Sequence, residues 1–204
     1  MNYDSRHRST LIHSTAIVEG QVKLSAGVRI WSFSHVCEGA ELGENVIIGE
    51  SVYVGPFVKI GKNSKIQSHA LIYEPTEIGD GVFVGPGTVF TNDFLPRAVR
   101  SDGIRKESKD WNKVAVKVSE GASIGAGAVC VAPITIGSFA MIAAGAVVTR
   151  DVLNFERVAG NPIRNIGWNC YCGLELKLKS NGEFICVECK FHFVNSKNGL
   201  KEKK

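Results

Sequence analysis

The chain predicts an all-β fold of stacked, three-sided coils, and two observations carry that prediction. Ile12, Val18, Leu24, Ile30, Val36, Leu42, Ile48, Val54, Ile60, Ile66, Ile72, Ile78, Val84 and Phe90 recur every six residues without a miss. Core-forming residues are about a third of ordinary composition, so such a run is roughly a one-in-a-million accident or rarer. Four places after each stands a second small or branched residue, from Ala16 and Val22 through Ala70, Thr76, Val82 and Thr88. A period of six fits neither a helix nor the simple alternation of a long hairpin. It suits a flat face followed by a corner.

Three such faces make a coil of eighteen residues. Gly43, Gly49, Gly55, Gly61, Gly79 and Gly85 follow directly after buried aliphatics, where the backbone is expected to bend and a side chain is a burden. The rhythm breaks after Phe90 and returns with Val118, Ile124, Cys130, Ile136, Ile142 and Val148. The break is not a multiple of six, so an excursion leaves the coils between about 91 and 113. It holds Thr91-Asn92-Asp93-Phe94-Leu95-Pro96-Arg97 and a charged run from Arg100 to Asp110, and reads as a polar surface loop of the kind that carries function. Cys130 takes a core position, while Cys37 receives no role. The repeat resembles that of the left-handed parallel β-helix, and the hand is implied by that resemblance alone.

The 204 residues, 44% of them hydrophobic, allow one main domain and a small appendage. We place the coils in 1–167, a four-cysteine module in 168–195 and a basic flexible tail in 196–204. The net charge of +4 comes partly from Lys197, Lys201, Lys203 and Lys204 and does not point to nucleic acid. Arg6 and Arg8 are followed by no apolar run, and no stretch approaches a membrane span, so a cytoplasmic chain is expected. Cysteines in that compartment are thiols or metal ligands. Cys170-x-Cys172 and Cys186-x-x-Cys189, with turns at Gly173 and Asn181-Gly182, can surround a tetrahedral zinc ion. With sulfur at every position that site is structural. The alternative is a small hairpin carrying unmetallated thiols.

Residues eighteen apart stack at roughly 4.8 Å. Asn92, two after Phe90, therefore belongs one coil from Glu74, two after Ile72, beside the excursion. The pair can hold an amine, or it is a solvated edge. His35 and His69 fall on outward phases, where a neutral imidazole can take a proton from an attacking amine or is simply a surface residue. His13, His35 and His69 are too widely spaced for the three-imidazole zinc of a carbonic anhydrase built on this repeat.

From the hexads to the closing segment Ala143–Val152 and Val158–Arg164, nearly the whole chain to Gly167 is similar to the hexapeptide-repeat acyltransferases. The strings Ile30-Trp31-Ser32-Phe33-Ser34-His35, Ile66-Gln67-Ser68-His69-Ala70-Leu71-Ile72-Tyr73-Glu74 and Thr91-Asn92-Asp93-x-x-Pro96-Arg97 resemble nucleotide-sugar N-acetyltransferases. The resemblance is to those acting on 3-amino sugars, such as the UDP-2-acetamido-3-amino-2,3-dideoxyglucuronate enzymes. It implies a homotrimer serving bacterial surface polysaccharide, with acetyl-CoA between neighbouring subunits and the sugar nucleotide near the excursion. It further implies Asn92 orienting the amine, Glu74 stacked beside it and His35 as base. Asp93, His69 and Arg97 would meet the substrate, Arg97 at phosphate. Backbone near Ala126 and Ala144 would line the pantetheine, and Arg150 and Arg164 would meet the coenzyme's phosphates. The four-cysteine appendage departs from that pattern, which ends near Gly167-Trp168. An O-acetyltransferase and a non-catalytic scaffold are the alternatives.

Overall fold

The computed structural model describes residues 9–203; Arg6, Arg8 and Lys204 lie outside them. Short strands, mostly of two residues, stack in parallel into three faces of a prism. The register climbs by eighteen at each step: Leu11 to Arg29 to Ile47 on the first face, Ile17 to His35 to Tyr53 on the second, Lys23 to Glu41 to Lys59 on the third. In each two-residue strand of the prism from Arg29 on, the second residue points inward, and Ile30, Val36, Leu42, Ile48 and Ile66 are 0–1% exposed. Each such side chain contributes roughly 1.5–3 kcal/mol by leaving water. Three polar members of the smaller set, Ser34, Ser64 and Thr88, are satisfied within the stack, Ser34 Oγ donating to Gly49 O at 2.6 Å and accepting from Val52 N at 3.2 Å, while the buried Thr76 Oγ1 has no hydrogen-bond partner among the described residues.

The expected reason for the glycines after the buried aliphatics needs correcting. The turning residues are others: Phe33, Ser51 and His69 take positive φ of 58°, 55° and 63° at one corner, followed up the stack by Gly87 at 67°. The repeat glycines serve close approach instead. A Cβ on Gly43 would stand 2.6 Å from Lys62 N, and one on Gly85 would stand 2.5 Å from Ala126 N, both backbone atoms of the next coil.

The excursion leaves after Val89–Phe90 and returns at Val116–Val118. Forty residues separate the stacked partners Phe90 and Cys130, where eighteen suffice lower down. Its two legs are held together by Val114 N donating to Asn92 O at 3.0 Å and by a bridge between Asp93 and Lys113. Arg100, inside it, pairs with Asp102 at 2.8 Å and with Asp110 at 3.7 Å.

Beyond the prism, Arg164–Trp168 turns back antiparallel along Glu156–Ala159. Four antiparallel strands follow: Lys177–Leu178, Phe184–Ile185, His192–Ser196 and Gly199–Glu202. The expected flexible tail is therefore a correction. Residues 199–202 pair with His192–Ser196, and Leu200 is 1% exposed because it packs with Phe155, Cys170 and Phe193. Lysine content hid the strand, since the lysines face outward while Leu200 faces in. The appendage docks on the end of the prism through aromatic contact: Phe139 and Phe155 stack at 5.4 Å, and Tyr171 meets Phe139 edge-on at 4.7 Å. No helix among the described residues is long and apolar enough to cross a membrane.

Candidate active site

Asn92 follows the second-face strand Val89–Phe90 and stands at the corner leading to the third face, where the excursion begins. Its Nδ2 donates to Glu74 O at 2.8 Å, so the expected one-coil juxtaposition is present, through the Glu74 backbone. With Nδ2 committed, Oδ1 is the group left to accept an N–H from an incoming ligand. The Glu74 carboxylate is engaged by Lys113 Nζ at 2.5 Å. Lys113 closes the far leg of the excursion, so this ion pair latches the loop to the coil. Asp93 Oδ1 accepts from Leu95 N at 2.9 Å and shapes the loop's first turn. Arg97 is exposed and lines a cavity of 490 Å³ with Phe94, Pro96, Arg100 and Lys106.

Other expected residues stand elsewhere. His69, Ala126 and Ala144 are exposed at the corner between the first and second faces, a full face away from Asn92. Backbone bonds run up that corner, with Gly87 N donating to Ser68 O and Gly145 N to Ala126 O, both at 2.8–2.9 Å. His35 shares the second face with Asn92 but lies three coils below its strand, through Tyr53, Leu71 and Val89. Three strand spacings are roughly 14 Å, too far for proton transfer to a group held at Asn92 in the same chain.

His35 has neighbours of its own. Its Nε2 lies 2.6 Å from Glu19 Oε1 and 3.8 Å from Cys37 Sγ. Glu19 Oε2 accepts from Glu38 N at 2.8 Å, and this bond, ahead of the His35 contact, holds the Glu19 carboxyl below its ordinary value. Burial pushes the Cys37 thiol up. Tyr53 meets the imidazole edge-on at 5.9 Å and in turn packs against a tilted Tyr73 ring at 5.2 Å, continuing the column toward Glu74. Sequence reasoning missed Glu19, Tyr53, Tyr73 and Lys113. For Glu19 and Cys37 the signal was the coil period, since they are eighteen apart and flank His35.

Arg150, expected at coenzyme phosphates, aims both forks of its guanidinium at Glu156, at 2.8 and 3.2 Å. Glu156 is 2% exposed and also accepts from Leu153 N at 2.8 Å and Asn165 Nδ2 at 3.0 Å. Burial works against its charge, but Arg150 and these donors outweigh it and hold its pKa below the ordinary 4.5. A depressed folded pKa contributes stability that is full above the unfolded value and is lost as pH falls through the folded one. Stability is therefore expected to drop below about pH 4.5, and Glu156→Gln to flatten that acid limb in denaturant titrations. At neutral pH the same variant should cost about 3 kcal/mol, the low end for a broken buried pair because Arg150 stays 44% exposed. Arg164 begins the antiparallel return strand and is exposed.

The four sulfurs of Cys170, Cys172, Cys186 and Cys189 all lie within 4.8 Å of one another, with Cys172 to Cys186 at 3.7 Å. Burial pushes Cys170 up to about 11. For Cys186 burial acts the same way, but N–H groups of Cys189 and Glu188 and the neighbouring thiols outweigh it and bring the group down to about 7.

Comparison with known proteins agrees with this architecture. Residues 22–56 and 57–92 match the bacterial transferase hexapeptide (six repeats) model, and 116–150 match the hexapeptide repeat of succinyl-transferase. The chain is 46% identical over 69 residues to a dTDP-3-amino-3,6-dideoxy-alpha-D-galactopyranose 3-N-acetyltransferase of Aneurinibacillus thermoaerophilus, covering 34% of this chain and 35% of that one. It is 38% identical over 89 residues to serine acetyltransferase 2 of Arabidopsis thaliana, covering 43% and 27%. It thus spans about a third or less of the length of these curated relatives. Among solved structures it overlays the GDP-perosamine N-acetyl transferase of Caulobacter crescentus, solved with CoA and GDP-perosamine, with a TM-score of 0.55 and 22% identity over 79% of this chain and 58% of that one. An N-acyltransferase from Bacillus cereus, solved with dTDP and coenzyme A, overlays with a TM-score of 0.55 and 20% identity over 80% and 83%. At those identities the overlays speak for the fold. The repeat matches fall on the coils themselves and stop at the excursion, and the chain belongs to the hexapeptide-repeat acyltransferase family.

Proposed function

We propose that the protein is a cytoplasmic, acetyl-CoA-dependent N-acetyltransferase that acetylates a nucleotide-linked amino sugar, a 3-amino sugar, for bacterial surface polysaccharide. The observation that carries this reading is the Asn92 carboxamide, braced on the coil below at the root of the excursion with its oxygen left to accept an amine N–H. The likeness to the 3-N-acetyltransferase of Aneurinibacillus thermoaerophilus supports the sugar class.

In the proposed reaction the neutral sugar amine attacks the thioester carbonyl and a C–N bond forms. The tetrahedral oxyanion collapses, the C–S bond breaks, and the CoA thiolate leaves, taking up the proton released by the amine through water. Asn92 orients the amine, Asp93 sets the loop and Arg97 meets substrate phosphate. Backbone groups near the exposed Ala126 and Ala144 would receive the pantetheine, and an amide of the groove can hold the oxyanion. Since they stand a full face from Asn92, a site using both sets is completed between chains, which supports a homotrimer.

Release of free CoA thiol from acetyl-CoA tests the reading, with UDP- and dTDP-linked 3-amino and 4-amino sugars each set against the hydroxyl counterpart. Turnover with a 3-amino sugar is expected. Turnover of hydroxyl sugars alone would make it an O-acetyltransferase, and no turnover with any acceptor would overturn the enzymatic reading.

We also propose that Cys170, Cys172, Cys186 and Cys189 hold a structural zinc ion. The edge of a tetrahedral zinc–sulfur site is about 3.8 Å, close to the 3.7 Å between Cys172 and Cys186. Metal removal is expected to raise hydrogen exchange across 170–202 while the prism's strands stay protected. Unchanged exchange in the appendage would exclude a structural metal there.

A further inference from the structure

We propose a second metal site on the prism, made by Glu19, His35 and Cys37 and suited to a divalent ion of the zinc type. Glu19 Oε1, His35 Nε2 and Cys37 Sγ lie within 4.8 Å of one another. One nitrogen faces both partners, at 2.6 Å to the carboxylate and 3.8 Å to the sulfur. A proton relay needs the base and its orienting carboxylate on opposite ring nitrogens, so this geometry does not make a cysteine nucleophile triad. Convergence of three donor atoms on one point is what a metal needs.

The donor set selects the ion. Thiolate and imidazole with one carboxylate favour zinc-type ions, whereas calcium and magnesium take oxygen. In a tetrahedral zinc site nitrogen and sulfur stand about 3.6 Å apart, near the 3.8 Å between His35 and Cys37. Nitrogen and carboxylate oxygen stand about 3.3 Å apart, so the Glu19 oxygen has to swing outward from its 2.6 Å contact. That side chain is 39% exposed, and a pivot about its Oε2, held by Glu38 N, carries Oε1 outward. The donors are also supported from behind: Glu38 N holds the second Glu19 oxygen, and Tyr53 braces the imidazole. Three protein ligands leave a fourth position for water, and the 38% exposure of His35 gives an ion a path in.

An ion there ties adjacent coils together. Glu19 follows the strand Ile17–Val18, while His35 and Cys37 belong to the coil stacked on it. This is the end of the prism where Ile12 and Ile17 are 45% and 57% exposed among the described residues, so a clip acts where apolar packing is thinnest.

Equilibrium dialysis of the full chain against Zn²⁺, with bound metal counted per chain, tests the site. A Co²⁺ titration reads thiolate ligation by its charge-transfer absorption. His35→Gln and Glu19→Gln, both at the surface, are each expected to bind about one ion per chain fewer than the parent, and Cys37→Ser to lose the matching part of the absorption. Cys172→Ser reports the four-cysteine module separately and should leave the difference between parent and His35→Gln intact. Equal metal content in the parent and the His35→Gln and Glu19→Gln variants would overturn the proposal. The two surface variants decide the matter even if Cys37→Ser fails to fold.

Discussion

Gly85→Ala is expected to destabilise the prism by about 2–3 kcal/mol, while Gly87→Ala, two residues on, costs about 1 kcal/mol or less. The added methyl at position 85 would stand 2.5 Å from Ala126 N, 2.7 Å from Gly125 C and 2.8 Å from Ile124 O. All three are backbone atoms of the next coil, held by ladder bonds such as Gly85 N to Ile124 O at 2.7 Å, so little can give. At position 87 the methyl meets nothing within 4 Å, and the cost is only that of a φ of 67°. Phe33, Ser51 and His69 already take that conformation lower in the same corner. Denaturant unfolding of the pair checks the ranking, and equal losses would refute close approach as the reason for Gly85.

Asn92→Ala is expected to lower turnover at least about tenfold, or ~1.4 kcal/mol of barrier, with circular dichroism unchanged. The variant loses the oxygen that accepts the amine and the 2.8 Å bond to Glu74 O that aims it. Nothing of the prism core goes with it, because Asn92 is only half-buried and Val114 N bonds its backbone oxygen. A mainly kcat effect would place Asn92 at the reacting amine. Near-parent rates would remove it from the mechanism.

The hexads made the coils legible because two positions per face are buried, the strand aliphatic and the smaller residue four places on, as Ile30 with Ser34 and Val36 with Ala40 show. Glycine was legible in place but not in cause, since bending and close approach both select it and only the neighbouring coil tells them apart. The excursion was legible as a break in rhythm, but not the latch between Lys113 and Glu74, which joins residues with no shared period. Arg150 carried no mark of its partner, because Glu156 is buried by a chain reversal that six-residue counting does not see. The strand at 199–202 was lost to its charge. Asn92 over Glu74 was legible because the two are eighteen apart, while Glu19 beneath Cys37 carries the same spacing and was missed.

Stacking by eighteens also sets which changes of length the chain can absorb. Removing six residues from the lower coils would rotate everything after the cut by one face, carrying Asn92 to a different corner while the buried pattern still matched. Removing eighteen would shorten the prism by one storey and leave every later residue on its own face. Coil number is thus a free variable in this architecture and face assignment is not. The excursion escapes the rule because it leaves and re-enters at one corner, with Phe83 still beneath Ser123 across it. Its length can drift while the address of every side chain above it stays the same.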